Sequence, residues 1–291
     1  MESVPTFAWK SCPPCRGIRA RDGVEYALPD GVAPIVGFVQ GVLVHEGLAA
    51  AYGIALSEER AKEKQIHSAG AMLHQAIRLE PRPVSQSRTP RSRVVVVCRH
   101  FATLFVACAR RRGIPARVRC GFADYFAPGK HADHWVGEYW NADDQRWVLV
   151  DAQVDELQRE MFQVKLDTLD VPRDRFLVAG DAWRACRNGA EPMNFGVAGT
   201  KMWGLIEVYG DIFQDLAALQ NIELLPWGWY GLATDDGGAE EVELIDNLAA
   251  ISSVADAAAL VALRGMLAAD ERLRPPSDRV AAIAKAERVS L

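Results

Sequence analysis

The most constraining feature of the sequence is a run of valines at 94–97 that ends on Cys98 and leads into an amphipathic segment. Apolar residues then recur at helical spacing until an arginine triplet and Gly113, which are typical of a helix end. The apolar positions are Phe101, Leu104, Phe105 and Cys108. The pattern predicts a helix over 98–112. Cys98 would lie in its first turn, where free N–H groups and the helix dipole lower a thiol pKa. A buried structural cysteine is the alternative.

Three predicted strands follow this helix, at 116–122, 134–140 and 146–151, with a turn at 141–145 between the last two. In a hairpin centred on Asp143, residues whose numbers sum to about 286 face one another. His134 then lies opposite position 152, beside Asp151. A cysteine, a histidine and an orienting acid are the groups that thiol-based nucleophilic catalysis requires.

These segments together carry a family resemblance over roughly residues 90–155. The matching pieces, in order, are the stretches 97–102, 113–117, 121–122, 134–135 and 147–151. The combination resembles the transglutaminase-like superfamily. The resemblance implies a papain-like thiol fold in which Cys98 is the nucleophile, His134 the base and acid, and Asp151 the orienting carboxylate.

The sequence departs from the family pattern in two places. Relatives often carry an acid two residues after the cysteine, where this chain has His100, and the usual His-Ala-Trp order is shortened to His134-Trp135. His131 is a rival for the base. We prefer His134 because it begins the predicted strand and fits the hairpin register. For Asp133, beside His134, we favour an exposed loop acid, with tuning of the base as the alternative.

The predicted fold class is α+β, with a transglutaminase-like, papain-like cysteine core whose antiparallel sheet packs on the nucleophile helix and is wrapped by further helices. We predict an N-terminal helical region at 1–89, the core at 90–160 and a mostly helical region at 161–291, within what could be one continuous domain. The helices expected outside the core cover 32–44, 57–79, 170–189, 202–219, 242–267 with a break at Ser252–Ser253, and 278–289.

Net charge, hydropathy and cysteine content argue against several classes of protein. A net charge of −5 argues against a general nucleic-acid binder. The apolar stretch at 32–44 is too short and interrupted to cross a membrane, so we expect no membrane partner. The first residues lack the pattern of a signal peptide, and six cysteines in 291 residues do not indicate a disulfide framework. These observations predict a cytoplasmic protein with reduced thiols.

Several motifs outside the core keep two interpretations. Cys12 and Cys15 form a Cys-x-x-Cys pair, but without further ligands we expect neither a metal nor a cofactor. Gln86 is a candidate oxyanion donor that we leave out of the catalytic set. The loop at 225–231, with Trp227 and Trp229, is interpreted as a substrate lid or as a core plug.

The predicted activity is that of a cysteine enzyme that forms an acyl-enzyme from an amide, isopeptide or thioester, through a thioester intermediate on Cys98. Transfer to water gives an amidase or peptidase, and transfer to an amine gives an acyltransferase. One alternative is amide formation on carrier-bound donors. Four loop arginines would then contact the carrier: Arg82, Arg88, Arg91 and Arg93. The other alternative is a non-catalytic binding module.

Overall fold

The computed structural model describes residues 26–222, 224–228, 230–231, 239–278 and 280. The helices are α1 Val32–Val42, α2 Glu58–Ala61, α3 Ala69–Leu79, α4 Cys98–Arg111, α5 Glu156–Met161, α6 Ala179–Arg187, α7 Leu205–Leu219, α8 Ala239–Val254 and α9 Ala257–Ala269. The strands are β1 Leu43–His45, β2 Val94–Val96, β3 Ala116–Ala123, β4 His131–Asn141, β5 Arg146–Val150, β6 Phe176–Val178 and β7 Phe195–Gly196. The motif at Cys12 and Cys15, Trp229 and nearly all of the predicted last helix lie outside these residues.

An antiparallel sheet with strand order β5-β4-β3-β6 forms the centre of the fold, and β7 adds to β4 in parallel. The three predicted strands are confirmed, although β4 begins at His131, three residues before the predicted start. Asn141 pairs with Arg146 and Gly137 with Val150, so facing residues sum to 287. The predicted register was one residue off, because Gln145 lies in the turn with a φ of 52°.

Helix α4 packs closely across this sheet. Phe101, Leu104, Phe105 and Cys108 are all buried, as the helical spacing predicted. The approach depends on Gly137 in β4, because a Cβ there would lie 2.4 Å from the Phe105 ring. The predicted α+β fold, with the antiparallel sheet packed on the nucleophile helix, is confirmed.

The N-terminal elements bring one further segment to the start of α4. The expected helix α1 is present, and Ser57 caps α2 as predicted by accepting a bond from the Arg60 N–H. The helix predicted over 57–79 is not continuous, because a 3-10 turn follows α2 and a second N-cap, at Ser68, starts α3. Strand β1 pairs in parallel with β2, which places His45 opposite Val96.

The C-terminal helices cover the other side of the sheet. The predicted helix starting at 170–174 is wrong, because Phe176 lies in strand β6 and only Ala179–Arg187 is helical. Strand β6 comes very close to β3 at Gly121, where a Cβ would lie 2.1 Å from the Leu177 carbonyl oxygen. Helix α7 is confirmed. The break predicted at Ser252–Ser253 lies two residues later, because α8 continues to Val254 and the chain turns at Ala255, whose φ is 44°.

A buried network of charges joins the sheet to α7. Arg119 forms a two-pronged pair with Asp215, at 2.9 and 2.8 Å, and a 3.0 Å bond to Glu138. Arg117 and Arg173 also bond to Glu138. Arg119, Glu138 and Asp215 have no exposed surface, so this part of the core consists of paired opposite charges.

In the described ranges, we find no helix long and apolar enough to cross a membrane.

Candidate active site

Cys98 is the first residue of α4, as its sequence position predicted. Its side chain is partly exposed, and the backbone N–H groups of Arg99 and Trp135 donate hydrogen bonds to the sulfur. The Trp135 N–H belongs to β4 and follows His134 directly in the chain. The sulfur is therefore tied both to its own helix and to the strand that carries the candidate base.

His134 and Asp151 are in contact, as the hairpin predicted. His134 Nε2 lies 2.9 Å from Asp151 Oδ2, and both side chains are buried. When Nε2 carries a proton and donates it to this carboxylate, Nδ1 is the ring nitrogen with a free lone pair. That is the nitrogen a general base needs, and the acid fixes its tautomer.

Asp151 is held as an ionised acceptor by several neighbours. Its Oδ2 also accepts a 2.8 Å bond from the Tyr125 hydroxyl, and its Oδ1 accepts bonds from the backbone N–H groups of Gln153 and Val154. Burial alone would raise the pKa of Asp151. The charge of His134 and these hydrogen bonds outweigh it and leave the pKa below its ordinary value.

Aromatic rings enclose His134. Phe126 packs edge-on against the imidazole with ring centroids 4.8 Å apart, and Tyr125 and Phe176 lie at 6.3 and 6.4 Å. Tyr125 and Phe126 come from the loop between β3 and β4. The loop between β3 and β4 thus packs on the histidine and bonds to its acid.

The rival histidine lies elsewhere. His131 stacks on Phe195 with ring centroids 4.6 Å apart and an interplanar angle of 9°. Within the described structure, the imidazole hydrogen-bonded to Asp151 is that of His134. The geometry therefore favours His134 over His131 as the candidate base.

The electrostatics of the thiol differ from the sequence prediction. Burial is the largest influence and raises the pKa of Cys98 well above its ordinary value, and the Asp133 carboxylate raises it further. The N–H groups of Arg99 and Trp135 act in the opposite direction without cancelling this effect. The predicted lowering of the Cys98 pKa is therefore wrong, because the effect of the helix end is outweighed by burial and a nearby acid.

Asp133 is part of a cluster that the sequence did not predict. One ligand atom from each of Cys120, Asp133 and Asp211 lies within 4.8 Å of the other two. Burial raises the pKa of Asp133 to about 7, and burial and the charge of Asp133 raise that of Asp211 well above its usual range. The expectation of an exposed acid at 133 is wrong, because the strand turns this carboxylate towards β3 and α7.

His45 is a second unpredicted residue near the site. It ends β1, opposite the residue two before Cys98, and its Nδ1 accepts a 3.1 Å bond from the Gly47 N–H. Burial, and then the charge of His134, lower the pKa of His45 to about 4. His45 is therefore neutral at pH 7, with its proton on Nε2. The only sequence signal was a histidine interrupting an apolar run.

His100, which departs from the family pattern, has a structural role. It is fully buried, its Nε2 lies 2.8 Å from the Ile66 carbonyl oxygen, and its Nδ1 accepts a bond from the Val97 N–H. Arg99 beside it bonds to the His67 carbonyl oxygen. Both residues fix the start of α4, and so the position of Cys98, to the segment before α3.

The remaining candidates lie away from the thiol or serve the scaffold. Gln86 is exposed, which gives no support to an oxyanion role. Arg88 is buried and donates to three backbone carbonyl oxygens, at Ala76, Arg82 and Gln86. Trp227 is 45% exposed and donates to the Gln65 side chain.

A family match covers the segment that carries these residues. Residues 55–152 match the transglutaminase-like superfamily, a range that contains Cys98, His134 and Asp151. This part of the chain is similar to a transglutaminase-like core. The motifs in the sequence indicated a match from about residue 90, but the family match begins at residue 55. It therefore also includes α2, α3 and the loop that carries Arg82, Arg88, Arg91 and Arg93.

One solved structure is similar to the chain, a proposed cysteine protease from Cytophaga hutchinsonii. The two are 20% identical, and the match covers 52% of this chain and 46% of that protein, with a TM-score of 0.20. The chain thus matches less than half the length of that protein. Among curated proteins, none matches this chain.

Proposed function

We propose that this transglutaminase-like protein is a cysteine hydrolase acting on amide, isopeptide or thioester bonds, with Cys98 as nucleophile, His134 as base and acid, and Asp151 as the orienting carboxylate. The observation that carries the proposal is the buried 2.9 Å contact between His134 and Asp151, beside a helix that begins at a partly exposed cysteine. A non-catalytic module would not need the tautomer control that this contact supplies.

The reaction begins with transfer of the Cys98 proton to His134 Nδ1 and attack of the sulfur on the substrate carbonyl carbon. A carbon–sulfur bond forms, and the bond to the amine or thiol leaving group breaks as His134 returns the proton to it. Water, deprotonated by the same imidazole, then attacks the thioester carbonyl carbon. A carbon–oxygen bond forms, the carbon–sulfur bond breaks to release the acid, and His134 returns the proton to the Cys98 sulfur. Because burial and Asp133 disfavour an isolated Cys98 thiolate, we expect thiolate formation to be coupled to substrate binding.

The oxyanion of the tetrahedral intermediate requires N–H donors. The Cys98 backbone N–H is one donor, at the free end of α4. We propose His45 as the second, because its ring carries the proton on Nε2 and it lies on β1 opposite Val96, two residues before Cys98. Loss of one such donor typically reduces kcat by about 10²–10³-fold.

Carrier-dependent amide formation remains the alternative activity. Arg88 cannot contact a carrier while it bonds to three buried or half-buried carbonyl groups, so that alternative rests on Arg82, Arg91 and Arg93. Replacing Arg91, which is exposed, would then slow reaction with carrier-bound donors and spare small thioesters. Equal rates on both donors would remove the alternative.

The test is direct trapping of the acyl-enzyme. The protein is incubated with small activated thioesters and peptide amides, and intact-mass and peptide mass spectrometry locate the acyl group. We expect a single adduct on Cys98 that is absent from Cys98→Ala, while Cys186→Ala, which removes a comparably half-buried thiol, still forms it. Acylation spread over several cysteines, or unchanged turnover in Cys98→Ala, would contradict the proposal.

The same assay compares how much His134 and Asp151 each contribute to turnover. His134→Ala should lose nearly all turnover, because the imidazole moves the proton. Asp151→Asn should lose less, because the carboxylate only orients the ring. Circular dichroism checks that both variants are folded, and a larger loss in Asp151→Asn would contradict the assigned roles.

A further inference from the structure

The cluster of Cys120, Asp133 and Asp211 draws one residue from each of three elements: β3, β4 and α7. Cys120 has no exposed surface and Asp211 is 7% exposed. Their ligand atoms and that of Asp133 lie within 4.8 Å of one another. An ion at the centre of such a triangle would be about 2–3 Å from each atom after a small contraction, which is the range of metal–ligand bonds.

Two oxygens of this cluster lack the partners that buried carboxylates normally have. Asp211 Oδ2 and Asp133 Oδ1 are buried, and neither has a hydrogen-bond partner among the described residues. Asp215, one helical turn later on α7, instead pairs with Arg119 and accepts a bond from Ser252. A buried carboxylate without a cation is costly, so the contrast within one helix points to a missing positive charge.

We infer that Cys120, Asp133 and Asp211 form a binding site for one divalent metal ion of the zinc class. A thiolate ligand favours zinc or cobalt over magnesium or calcium, and zinc also accepts carboxylate oxygens. Four-coordination leaves one position, for water or for Glu207, which is one turn before Asp211 and 7% exposed. Binding requires loss of the Cys120 proton to solvent.

This site is separate from the catalytic residues, although Asp133 and His134 are neighbours in the chain. It does not depend on the proposed hydrolase activity, and it can be tested in a protein that lacks the nucleophile. Removing Cys98 also prevents the catalytic thiol from binding the metal itself. The pair Cys12 and Cys15 must be removed as well, because a Cys-x-x-Cys motif can bind zinc.

The experiment uses the full chain with Cys12→Ser, Cys15→Ser and Cys98→Ala, stripped with a chelator and titrated with Zn²⁺ by calorimetry and with Co²⁺ by absorption spectroscopy. We expect one ion per chain and a near-ultraviolet charge-transfer band from the cobalt–thiolate bond. Cys120→Ser should abolish the band, and Asp211→Asn should weaken binding at least 10-fold. Cys186→Ser, which alters a cysteine outside the cluster, should change neither result.

Absence of stoichiometric binding would overturn the inference, and so would a charge-transfer band that survives Cys120→Ser. Binding that is lost in His134→Ala but kept in Asp211→Asn would place the ion at the catalytic residues and would also overturn it. Substitution of a buried residue such as Cys120 or Asp211 can disturb folding. Asp133→Asn is therefore a further variant for the titration, at the most exposed of the three ligands. Thermal melts of the metal-free variants establish that each is folded before titration.

Discussion

Two buried polar regions lie side by side on β3 and α7, and they differ in whether their acidic groups are paired with a cation. At Arg119 and Asp215 the elements meet through a two-pronged ion pair whose acceptor atoms are satisfied. One residue further along β3 and one turn earlier on α7, Cys120 and Asp211 each have a ligand atom within 4.8 Å of the other and of Asp133. The first region joins two elements of the core. The second retains unpaired carboxylates next to the candidate catalytic residues.

The difference shows how a fold separates stability from function. Buried ions are tolerated when each has a partner, and removing one partner is strongly destabilising. Carboxylates buried without a cation lower stability unless a ligand supplies the charge, and such groups are concentrated at functional sites. We therefore expect substitutions in the two regions to have opposite effects on folding.

The largest effect is expected when the paired region loses its central cation. Arg119→Met leaves Asp215 without its cation in the core, while Glu138 keeps Arg117 and Arg173. The variant should lower the free energy of unfolding by about 3–5 kcal/mol. Urea unfolding at pH 7 measures the change. Arg146→Met is the control, because its pair with Asp170 is exposed to solvent and should contribute far less to stability. Similar losses in the two variants would contradict the distinction between buried and exposed pairs.

The comparison can be made within α7 by changing one acid at a time to its amide. Asp215→Asn weakens charge-assisted bonds to Arg119 and Ser252 and should cost about 1.5–3 kcal/mol. Asp211→Asn replaces a buried acid whose Oδ2 has no hydrogen-bond partner among the described residues and whose pKa is raised well above its usual range. In metal-free protein it should be neutral or stabilising by up to about 1 kcal/mol. Urea unfolding of both variants in the presence of a chelator gives the values. A destabilised Asp211→Asn would show that this carboxylate has a structural partner after all.

How much could be predicted from the sequence differs between these regions as well. Helix α4, its three following strands and the contact of His134 with Asp151 follow from local periodicity, one short turn and a family resemblance. The approach of α7 to β3 has no local signal, because Asp211 and Cys120 are 91 residues apart and neither belongs to a motif. His45 and the raised pKa of Cys98 were missed for the same reason, since both depend on long-range packing and burial.

Strand β6 was mistaken for helix because Phe176, Ala179, Trp183 and Cys186 fit helical spacing, although the chain changes from strand to helix at residue 179. Three residues are too few for an alternating pattern to be recognised. The pairing of β6 with β3 depends on Gly121, whose role is visible only when the two strands are brought together.

The paired region also predicts how stability depends on pH. Burial alone would raise the pKa of Glu138, but Arg117, Arg119 and Arg173 outweigh it and lower that pKa below its ordinary value. The stabilisation from Glu138 is therefore complete above its unfolded pKa of about 4.3 and is lost as the pH falls towards the lowered native value. Glu138→Gln should be less stable at pH 7 by about 1.5–3 kcal/mol, with the difference from the unmodified protein shrinking below pH 4. A constant difference between pH 3 and pH 7 would contradict this assignment.

The smallest effect tests whether the unpaired region acts on the nucleophile. The Asp133 carboxylate raises the pKa of Cys98, so Asp133→Asn should lower that pKa and speed alkylation of Cys98 by iodoacetamide at pH 7–8. We expect a several-fold increase, since one pKa unit corresponds to a tenfold change in thiolate fraction below the pKa. Asp124→Asn is the matched control, because that acid, on the loop that follows β3, pairs with Arg175. Mass spectrometry of metal-free protein measures the rate at Cys98. An unchanged rate in Asp133→Asn would mean that burial alone sets the reactivity of the thiol, and the two polar regions would then differ in stability without differing in their influence on the candidate active site.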